Sequence, residues 1–501
     1  MSLANGSNGR FDFTTEVPAA GSLGSVHFIA IGGAGMSGVA RVMLAEGIAV
    51  SGSDAKESLV LSALAAEGAV VHVGHDASHV AGADTVVISS AIREGNVELR
   101  EARSRGLRVM HRSQALASVM QGSRKVAVAG ANGKTTTTSM LTVALQHCGL
   151  DPSFAIGGEL AKHGTNAHHG TGDIFVAEAD ESDGSFLVYR PEVAIVTNVQ
   201  PDHLDFYGTF EAVQAAYARF AATVQPQGLL VTCADDQGSR ALAEVARAAG
   251  SKVITYGVAS DADVRLTELG GVGLRAHAVL VGAGLDNVVL GRLEIGMPGR
   301  HNLLNATAAF VAATEGLGQE AARVLEGLAG FTGTRRRFEP KGEVAGVRVV
   351  DDYAHNPGKV TALVETASSI AAPGRLVVVF QPHLYSRTRD FAAELAAALS
   401  PADVVIVMDV FAAREDPLPG VTGALIADRL LEAVQRHPGE GARFVRFVPS
   451  WSDVAPLVAQ LAEPGDLVVT VGAGDVTMIG PEILRLLTQR LDPTAVSAGQ
   501  E

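Results

Sequence analysis

The sequence feature that most constrains this fold is a glycine turn between an apolar run and a helix-forming segment. Residues 125–129 lead into Gly130-Ala-Asn-Gly-Lys134, and threonines follow. Glycines let the backbone close around an anion, and amides at the start of a helix direct partial positive charge into the turn. Lys134 adds a full charge, and Thr135 places a hydroxyl where a Mg²⁺ on nucleotide phosphates takes an oxygen ligand. The turn therefore predicts a phosphate site.

The turn is shorter than the common P-loop, because only Ala131 and Asn132 separate Gly130 from Gly133. An ordinary strand–turn–helix junction with a surface lysine is the alternative. The residues predicted to hold the nucleotide here are Gly130, Ala131, Asn132, Gly133, Lys134, Thr135 and Thr136.

Length and composition limit the class of protein. At roughly 150 residues per domain, the 501 residues predict about three domains. The apolar runs are too short for a bilayer and the N-terminus lacks a signal pattern, so we expect a cytoplasmic protein. The net charge of −15 argues against nucleic acid and membrane partners. Cys148 and Cys233 suggest neither a disulfide framework nor zinc.

Alternating apolar runs and helical segments predict parallel sheets covered by helices. We expect an α/β protein of three domains: a Rossmann-like N-terminal domain, a P-loop central domain with a mostly parallel sheet, and a Rossmann-like C-terminal domain. Between about residues 262 and 298 the pattern changes to antiparallel strands. The predicted bounds are a flexible leader at 1–22, domains at 23–122, 123–333 and 334–490, and a flexible tail at 491–501.

A second glycine turn follows the first predicted strand. Gly33, Gly35 and Gly38 satisfy the dinucleotide fingerprint, and Asp54 stands where a ribose-binding acid is expected. NAD fits this pattern, but so does a nucleotide-sugar, because the turn requires only a diphosphate. A turn that merely packs helix on strand is the third possibility. The predicted substrate-binding residues here are Gly33, Ala34, Gly35, Met36, Ser37, Asp54 and Ser89.

Polar segments follow two strands of the central domain. Glu178 ends one strand, and His203 follows the next. Ligands bind at the carboxyl ends of parallel strands, so both side chains could complete a divalent-ion shell begun by Thr135. Acid clusters are more often solvated loops. The three arginines at 335–337 are either a solvated face or a clamp for phosphate or carboxylate oxygens.

Taken in chain order, several segments together resemble the Mur ligases, from His27 to about Ile479. They are HFIAIGGAGMSGVA, SGSD, GANGKTTTT, EADESDGSFL, TNVQPDHLDFY, HNLLNA, DDYAHNP, FQPHLYSRT, the acidic run 409–417 and VGAGDV. The resemblance implies domains for nucleotide-sugar binding, ATP binding and amino-acid delivery. It favours the member that joins L-alanine to UDP-N-acetylmuramate through an acyl phosphate, in peptidoglycan precursor synthesis.

The resemblance also implies residue roles. Lys134 would hold the β- and γ-phosphates of ATP. Thr135 and Glu178 would bind one Mg²⁺, and His203 a second. The residues implied to take part in catalysis are Lys134, His203, His355, His383 and Arg387.

Further roles concern adenine and the C-terminal domain. Asn305 would contact adenine, Asp352 the ATP ribose, and Arg337 the phosphates. The residues implied to line the site for alanine and the muramoyl carboxylate are Tyr353, His355, His383 and Arg387.

The chain departs from the family at several positions. Sister ligases that add later residues carry a carbamoylated lysine after the HLD segment, but no lysine occurs here between His203 and Lys252, which fits the alanine-adding member. Asn356 and Leu384 replace a frequent histidine and a frequent arginine.

Three alternatives stay open from the sequence. They are a recycling ligase that adds a ready-made peptide, an NAD-dependent oxidoreductase, and an ATP-dependent regulatory protein. The oligomeric state, monomer or homodimer, and the preference among Ala, Ser and Gly also stay open.

Overall fold

The computed structural model describes residues 9–160, 164–283, 288–413, 415–436 and 441–491, except the side chain of Asp205. Residues 1–8 of the predicted leader and residues 492–501 of the predicted tail lie outside that description. The chain divides into two compact units, Met1–Thr334 and Arg335–Glu501.

The first unit begins with a five-stranded sheet whose strand pairs are all parallel, in the order β3-β2-β1-β4-β5. Its strands are β1 (Val26–Ile29), β2 (Val50–Asp54), β3 (Val70–Val73), β4 (Thr85–Ile88) and β5 (Arg108–His111). The helices are α1 (Ala34–Ala45), α2 (Leu59–Ala66), α3 (Val97–Ser104) and α4 (Arg112–Val119). The strand order reverses between β1 and β4, which is where open sheets of this kind bind ligands.

The second sheet of this unit has ten strands, in the order β15-β14-β13-β12-β11-β10-β6-β9-β7-β8. They are β6 (Arg124–Ala129), β7 (Ser153–Ala155), β8 (Ala167–His168), β9 (Ile174–Glu178), β10 (Val193–Val196), β11 (Leu229–Cys233), β12 (Lys252–Gly257), β13 (Val264–Val272), β14 (Arg275–Gly282) and β15 (Val288–Ile295). The helices are α5 (Lys134–His147), α6 (Leu204–Tyr207), α7 (Phe210–Ala222), α8 (Gln237–Ala248), α9 (Arg300–Val311) and α10 (Ala321–Ala329).

The predicted change of pattern near residue 262 is confirmed, because β13, β14 and β15 pair in antiparallel fashion. The centre of the sheet is parallel, with β6 between β9 and β10. Strands β6, β9 and β10 are apolar along most of their length and buried, as expected of strands covered on both faces. Their carboxyl ends therefore meet at one edge of the sheet.

The second unit contains a six-stranded sheet, in the order β16-β17-β21-β18-β19-β20. Only its edge strand β16 (Glu339–Val344) runs antiparallel, against β17 (Val347–Asp352). The other strands are β18 (Leu376–Phe380), β19 (Val404–Val407), β20 (Phe444–Phe447) and β21 (Leu467–Val471). The helices are α11 (Pro357–Ala371), α12 (Tyr385–Asp390), α13 (Ala392–Leu399), α14 (Ala424–Arg436), α15 (Trp451–Leu461) and α16 (Ile479–Leu491). The predicted α/β class is confirmed.

The described part of the predicted leader is packed rather than free. Phe13 is 1% exposed, and both Phe11 and Phe13 lie with their ring centroids 5.4 Å from the ring of His111. Arg10 donates a hydrogen bond to the carbonyl oxygen of Ile92 at 2.8 Å. The Ser, Asn and Gly content suggested flexibility, but aromatic side chains here bury enough apolar area to order the segment.

None of the described helices has the length and apolar character required to cross a membrane.

Candidate active site

Residues 130–133 join β6 to α5 at the centre of the second sheet. Gly130 and Gly133 have backbone φ values of +134° and +86°, which residues with side chains rarely adopt. A Cβ atom on Gly133 would lie 2.4 Å from Oδ1 of Asn305, and one on Gly130 would lie 2.0 Å from Oγ1 of Thr197. Because Gly133 is the N-cap of the 14-residue helix α5, the amides of the first turn are available to an anion.

The loop is held in place by the residues that follow β10. The amide of Asn132 donates to Oδ1 of Asn198 at 2.9 Å, and Oγ1 of Thr197 donates to the carbonyl oxygen of Asn132 at 2.5 Å. The amide of Ala131 donates to the carbonyl oxygen of Asn198 at 3.3 Å. Thr197 and Asn198 therefore fix the shape of a loop that has few residues of its own.

The ammonium group of Lys134 has three acceptors. Its Nζ donates to the carbonyl oxygen of Gly130 at 2.6 Å and to both carboxylate oxygens of Glu181 at 2.8 Å each. The Lys134 side chain is 14% exposed and that of Glu181 is 3% exposed. Burial acts to lower the pKa of Lys134, but the carboxylates of Glu181 and Asp180 outweigh it and raise that pKa above its ordinary value. Lys134 is therefore a charged lysine held by an acid.

Thr135 and Glu178 provide oxygen atoms beside the loop. Oγ1 of Thr135 donates to Oε1 of Glu178 at 3.0 Å, and the amide of Gly157 donates to Oε2 at 2.7 Å. Among the described residues, no group of three or more His, Cys, Asp or Glu side chains is arranged to hold a metal ion. A pair of oxygens still fits Mg²⁺, which takes one or two protein ligands and completes its shell with phosphate oxygens and water.

His203 reaches this region through Glu181. Its Nε2 atom lies 3.6 Å from Oε1 of Glu181, and its backbone adopts the left-handed conformation with φ of +54°. That conformation is uncommon for a residue with a side chain and is typical of functional positions. The structure thus joins the predicted metal residue His203 to Lys134 by one shared carboxylate.

Asn305 contacts the phosphate loop from α9. Its Oδ1 atom lies against Gly133, and its Nδ2 donates to Oδ1 of Asn302 at 3.4 Å. The N-cap of α9 is Gly299, and the Asn302 amide group donates to the carbonyl oxygen of Pro298 at 2.7 Å.

A cavity of about 500 Å³ opens where β11 and β12 end, bordered by the first residue of α9. Its lining residues are Ala234, Asp235, Gln237, Arg240, Val258, Ala259 and Arg300. The carboxylate of Asp235 accepts from the Val258 amide at 2.9 Å and from Arg300 at 2.8 Å. The volume lies in the range of small-molecule sites, and α9 connects the cavity to the phosphate loop.

The glycine turn of the first sheet has a different construction. The amide of Gly32 donates to Oδ2 of Asp54 at 3.0 Å, so this predicted ribose acid also ties the turn to the end of β2. Helix α1 starts after Gly33, whose φ of −63° is ordinary. Met36 and Ser37 are buried at the start of α1, and Nδ2 of Asn166 donates to the carbonyl oxygen of Ala34 at 2.7 Å.

Arg112 provides the positive charge at this turn. A Cβ atom on Gly35 would lie 2.8 Å from Nη1 of Arg112, so the guanidinium group rests against the turn. Nη2 donates to Oδ2 of Asp180 at 2.6 Å. Burial acts to raise the pKa of Asp180, but Arg112 and then Lys134 hold that pKa below its ordinary value. Asp180 therefore interacts with one cation from each glycine turn.

The neighbouring residue His111 connects the same two regions. Its Nε2 lies 3.2 Å from Oδ2 of Asp183, and Oγ of Ser90 donates to that carboxylate oxygen at 2.5 Å. Burial opposes the charged form of Asp183, but His111 holds the pKa of this carboxyl far below its usual range. The predicted Ser89 accepts the amide of Ile92 through its carbonyl oxygen at 3.1 Å.

In the second unit, Arg336 connects the loops that follow β17 and β21. Its Nη2 donates to the carbonyl oxygens of Gly472 and Gly474 at 2.7 and 2.9 Å. The guanidinium carbons of Arg336 and Arg337 lie 4.8 and 5.2 Å from the ring centroid of Tyr353. These distances are within the range of cation–π attraction.

Asp352 is held by backbone amides. Its carboxylate accepts from the amides of Phe338 and Ala354 at 2.8 Å each. Burial nevertheless raises the pKa of Asp352 above its ordinary value.

The remaining predicted residues of this unit form an aromatic group. The ring of His355 lies 5.2 Å from that of Tyr353 and 5.5 Å from that of His383. Nδ1 of His355 donates to the carbonyl oxygen of Tyr353 at 2.8 Å, so Nε2 is left as the acceptor of the neutral ring. Burial, reinforced by the charges of Lys359 and Arg387, holds the pKa of His355 well below its ordinary value.

Both family departures have a structural role here. Oδ1 of Asn356 accepts from the amide of Lys359 at 2.9 Å and caps α11, with Pro357 as the first helical residue. Leu384 is 7% exposed, has a φ of +69°, and donates its amide to the carbonyl oxygen of Phe411 at 3.0 Å.

Glu181 and Arg112 were not among the predicted site residues. Glu181 stands within the quoted segment EADESDGSFL, so asking which acid pairs with Lys134 could have found it. Arg336 belongs to the arginines at 335–337, for which the sequence left a clamp and a solvated face open. No motif pointed to Arg112. It reaches the glycine turn only because β5, which it follows, pairs with β4.

Three family models match the chain. The model described as Mur ligase family, catalytic domain, matches residues 25–124. The Mur ligase middle domain matches residues 128–313, and the Mur ligase, glutamate ligase domain, matches residues 336–474.

Similar proteins carry a consistent name. The UDP-N-acetylmuramate–L-alanine ligase of Renibacterium salmoninarum is 56% identical over 466 residues, which cover 93% of this chain and 96% of the relative. That of Kineococcus radiotolerans is 55% identical over 471 residues, covering 93% and 97%.

Solved structures of two related enzymes match as well. The UDP-N-acetylmuramate-alanine ligase of Thermotoga maritima has a TM-score of 0.76 and 28% identity, covering 93% of this chain and 99% of that chain. A murein peptide ligase of Psychrobacter arcticus has a TM-score of 0.66 and 25% identity, covering 92% and 98%.

Proposed function

The chain belongs to the Mur ligase family, and we propose that it joins L-alanine to the carboxylate of UDP-N-acetylmuramate with ATP as phosphoryl donor. The observation that carries this proposal is the loop at 130–133, where Lys134, Thr135 and Glu178 present the charge and oxygens that a nucleotide and its Mg²⁺ require. Relatives named for this activity are 56% and 55% identical, and among the solved structures the alanine ligase is 28% and the murein peptide ligase 25% identical. The identities support alanine over a ready-made peptide.

The first step activates a poor acyl donor. A carboxylate repels nucleophiles and has no good leaving group. A muramoyl carboxylate oxygen attacks the γ-phosphorus of ATP, the bond to the β-phosphate breaks, and ADP leaves an acyl phosphate behind. Two anions meet in this step, so the charge of Lys134 and the amides of α5 stabilise the transferred group.

The second step forms the amide. The alanine amine attacks the acyl carbonyl, and the tetrahedral intermediate expels inorganic phosphate, which retains the carboxylate oxygen. We assign Tyr353, His355, His383 and Arg387 to the alanine and muramoyl groups, as the family resemblance implies. We assign Asp352 to ribose and Arg337 to phosphate on the same basis.

Mg²⁺ fits the oxygens of Thr135 and Glu178, and we assign His203 to a second Mg²⁺, as the family resemblance implies. When bound, these ions would neutralise phosphate charge during transfer. The amide of Gly157 donates to the Glu178 carboxylate and fixes its orientation.

The sugar nucleotide is assigned to the first sheet. The start of α1 and the guanidinium group of Arg112 suit a diphosphate, and Asp54, Gly33, Gly35 and Ser89 surround that turn or follow the adjoining strands. We assign adenine of ATP to α9 near Asn305, beside the cavity bordered by Arg300. ATP and a nucleotide-sugar as substrates support the expectation of a cytoplasmic enzyme of peptidoglycan synthesis.

The test is to incubate the protein with UDP-N-acetylmuramate, ATP, Mg²⁺ and one amine at a time, and to weigh the products. We expect the L-alanine adduct with stoichiometric ADP and phosphate. Serine, glycine and a stem tripeptide are the comparison amines. A tripeptide adduct without an alanine adduct would assign the chain to peptide recycling. NADH oxidation without ATP would favour the oxidoreductase alternative.

A further inference from the structure

The three donors of the Lys134 ammonium group are all used within the protein. Gly130 accepts one, and the two carboxylate oxygens of Glu181 accept the others. An ammonium group has three N–H donors and no more. A phosphate oxygen can therefore bind Lys134 only by displacing one of these acceptors, and Glu181 is the one on a rotatable side chain.

Glu181 cannot simply be released into solvent. Its side chain is 3% exposed, and its backbone is anchored because the Tyr207 hydroxyl donates to the Glu181 carbonyl oxygen at 2.5 Å. A buried carboxylate without a cation is costly. Burial raises the pKa of Glu181 above its ordinary value, so if Lys134 turns to a phosphate, the charged form of Glu181 is retained only with another positive partner nearby.

His203 marks where that partner would bind. Its Nε2 lies 3.6 Å from Oε1 of Glu181. Ligands on one Mg²⁺ at about 2.1 Å lie roughly 3 Å apart, so a small rotation of Glu181 would let both side chains bind one cation. Glu178, the acid assigned with Thr135 to the other Mg²⁺, instead accepts hydrogen bonds from Thr135 and Gly157.

We propose that Glu181 is a displaceable positioning residue, which pairs with Lys134 before nucleotide binds and passes to a divalent cation beside His203 when nucleotide binds. This inference rests on the proposed ATP-dependent function. It makes nucleotide and metal binding mutually dependent through one side chain, because the phosphate frees Glu181 and the metal retains it.

The test is the affinity of the full chain for ADP, with EDTA and with Mg²⁺, by titration calorimetry on the wild type and Glu181→Gln. Glutamine keeps the shape but removes the charge that competes with phosphate and binds metal. Without metal, we expect Glu181→Gln to bind ADP about tenfold more tightly than the wild type, as expected for loss of a charged hydrogen-bonded competitor. With Mg²⁺, we expect the increase in ADP affinity seen in the wild type to shrink by a similar factor in Glu181→Gln.

Two variants control the experiment. Glu192→Gln makes the same chemical change beside Arg124, at the opposite end of β6, and should match the wild type in both conditions. Lys134→Ala should lose ADP affinity, and thermal unfolding of each variant checks that the fold is retained. Metal-free affinity of Glu181→Gln no higher than the wild type, or an undiminished Mg²⁺ effect, would overturn the inference. Failure of the wild type to bind ADP would instead count against the proposed function.

Discussion

Two strand–turn–helix junctions in the first unit obtain their positive charge in different ways. The loop at 130–133 contains two glycines with positive φ and is followed at once by Lys134. The carboxylate of Glu181 pairs with that lysine. The turn after β1 has ordinary backbone at Gly33 and takes its charge from Arg112, at the end of β5. The positive charge of one turn can thus be identified from adjacent residues, whereas that of the other requires the fold. Asp180 connects the two junctions, since it accepts a hydrogen bond from Arg112 and interacts electrostatically with Lys134.

The largest difference between the two junctions is expected when the positive charge beside the phosphate loop is removed. We expect Lys134→Ala to reduce kcat by about 10³-fold or more, because transferred phosphate loses its fixed cation. Binding of UDP-N-acetylmuramate should change little, since that ligand is assigned to the other turn. Steady-state kinetics and calorimetry measure the two quantities. Equal loss of both would contradict the separation.

Removing the charge of the other turn should have the reverse effect. We expect Arg112→Gln to weaken UDP-N-acetylmuramate binding by about 10- to 100-fold, because a partly buried charged hydrogen-bond donor is lost. The affinity for ADP should fall far less. Arg108→Gln, an exposed change on the preceding strand β5, is the control. If both nucleotides lost affinity equally, Arg112 would be a structural residue only.

Removing an oxygen proposed to bind Mg²⁺ should have a smaller effect than removing Lys134. We expect Glu178→Ala to raise the Mg²⁺ concentration for half-maximal activity by about tenfold. A magnesium titration at saturating ATP measures this value. An unchanged titration curve would remove Glu178 from the proposed metal set.

The backbones of the two turns should differ in their tolerance of a side chain. Gly133→Ala places a Cβ atom 2.4 Å from Asn305 at a φ of +86°, whereas the nearest atom to a Cβ on Gly33 is 3.6 Å away. We expect Gly133→Ala to lower the free energy of unfolding by about 1–3 kcal/mol, and Gly33→Ala by less than about 0.5 kcal/mol. Urea unfolding measures both. Similar losses would show that the turns do not differ as described.

The smallest effect on turnover is expected from a buried acid of the first sheet. Glu98 is fully buried and bonded to Ser53 at 2.6 Å, His79 at 2.8 Å and His75 at 3.0 Å. Burial opposes its charge, but these partners and His27 lower the pKa of Glu98 from 4.5 to about 2. Its contribution to stability is therefore fully present above pH 4.5 and is lost as the pH falls towards 2.

Replacing Glu98 should make the free energy of unfolding depend less on pH below 4.5. We expect Glu98→Gln to lose less unfolding free energy than the wild type between pH 4.5 and 2, with little change in kcat at neutral pH. Acid unfolding followed by circular dichroism measures this pH dependence, with the exposed change Glu67→Gln as control. If the unfolding free energies of Glu98→Gln and the wild type fell in parallel between pH 4.5 and 2, Glu98 would not cause this pH dependence.

Local patterns predicted much of the fold. Glu178 was expected to end a strand and is the last residue of β9, whose apolar run is typical of a buried parallel strand. The packing of Phe11 and Phe13 escaped prediction, since it depends on His111, which is distant in sequence.

The site was predictable to the extent that adjacent residues define it. The loop around Gly133 and Lys134, with Thr135 and Glu178, came together as expected. Which acid holds Lys134 could not be derived, because Glu178, Asp180, Glu181 and Asp183 share one segment. The turn of the chain after β9 decides which of them faces each cation, and that turn is set by tertiary contacts with His111 and Arg112.

The proposed mechanism requires the muramoyl carboxylate to become an acyl phosphate at the 130–133 loop. Turnover of UDP-N-acetylmuramate labelled with ¹⁸O in that carboxylate, together with ATP, Mg²⁺ and L-alanine, tests this step. We expect one labelled oxygen in the inorganic phosphate for each amide bond formed. Amide formation with unlabelled phosphate would contradict it.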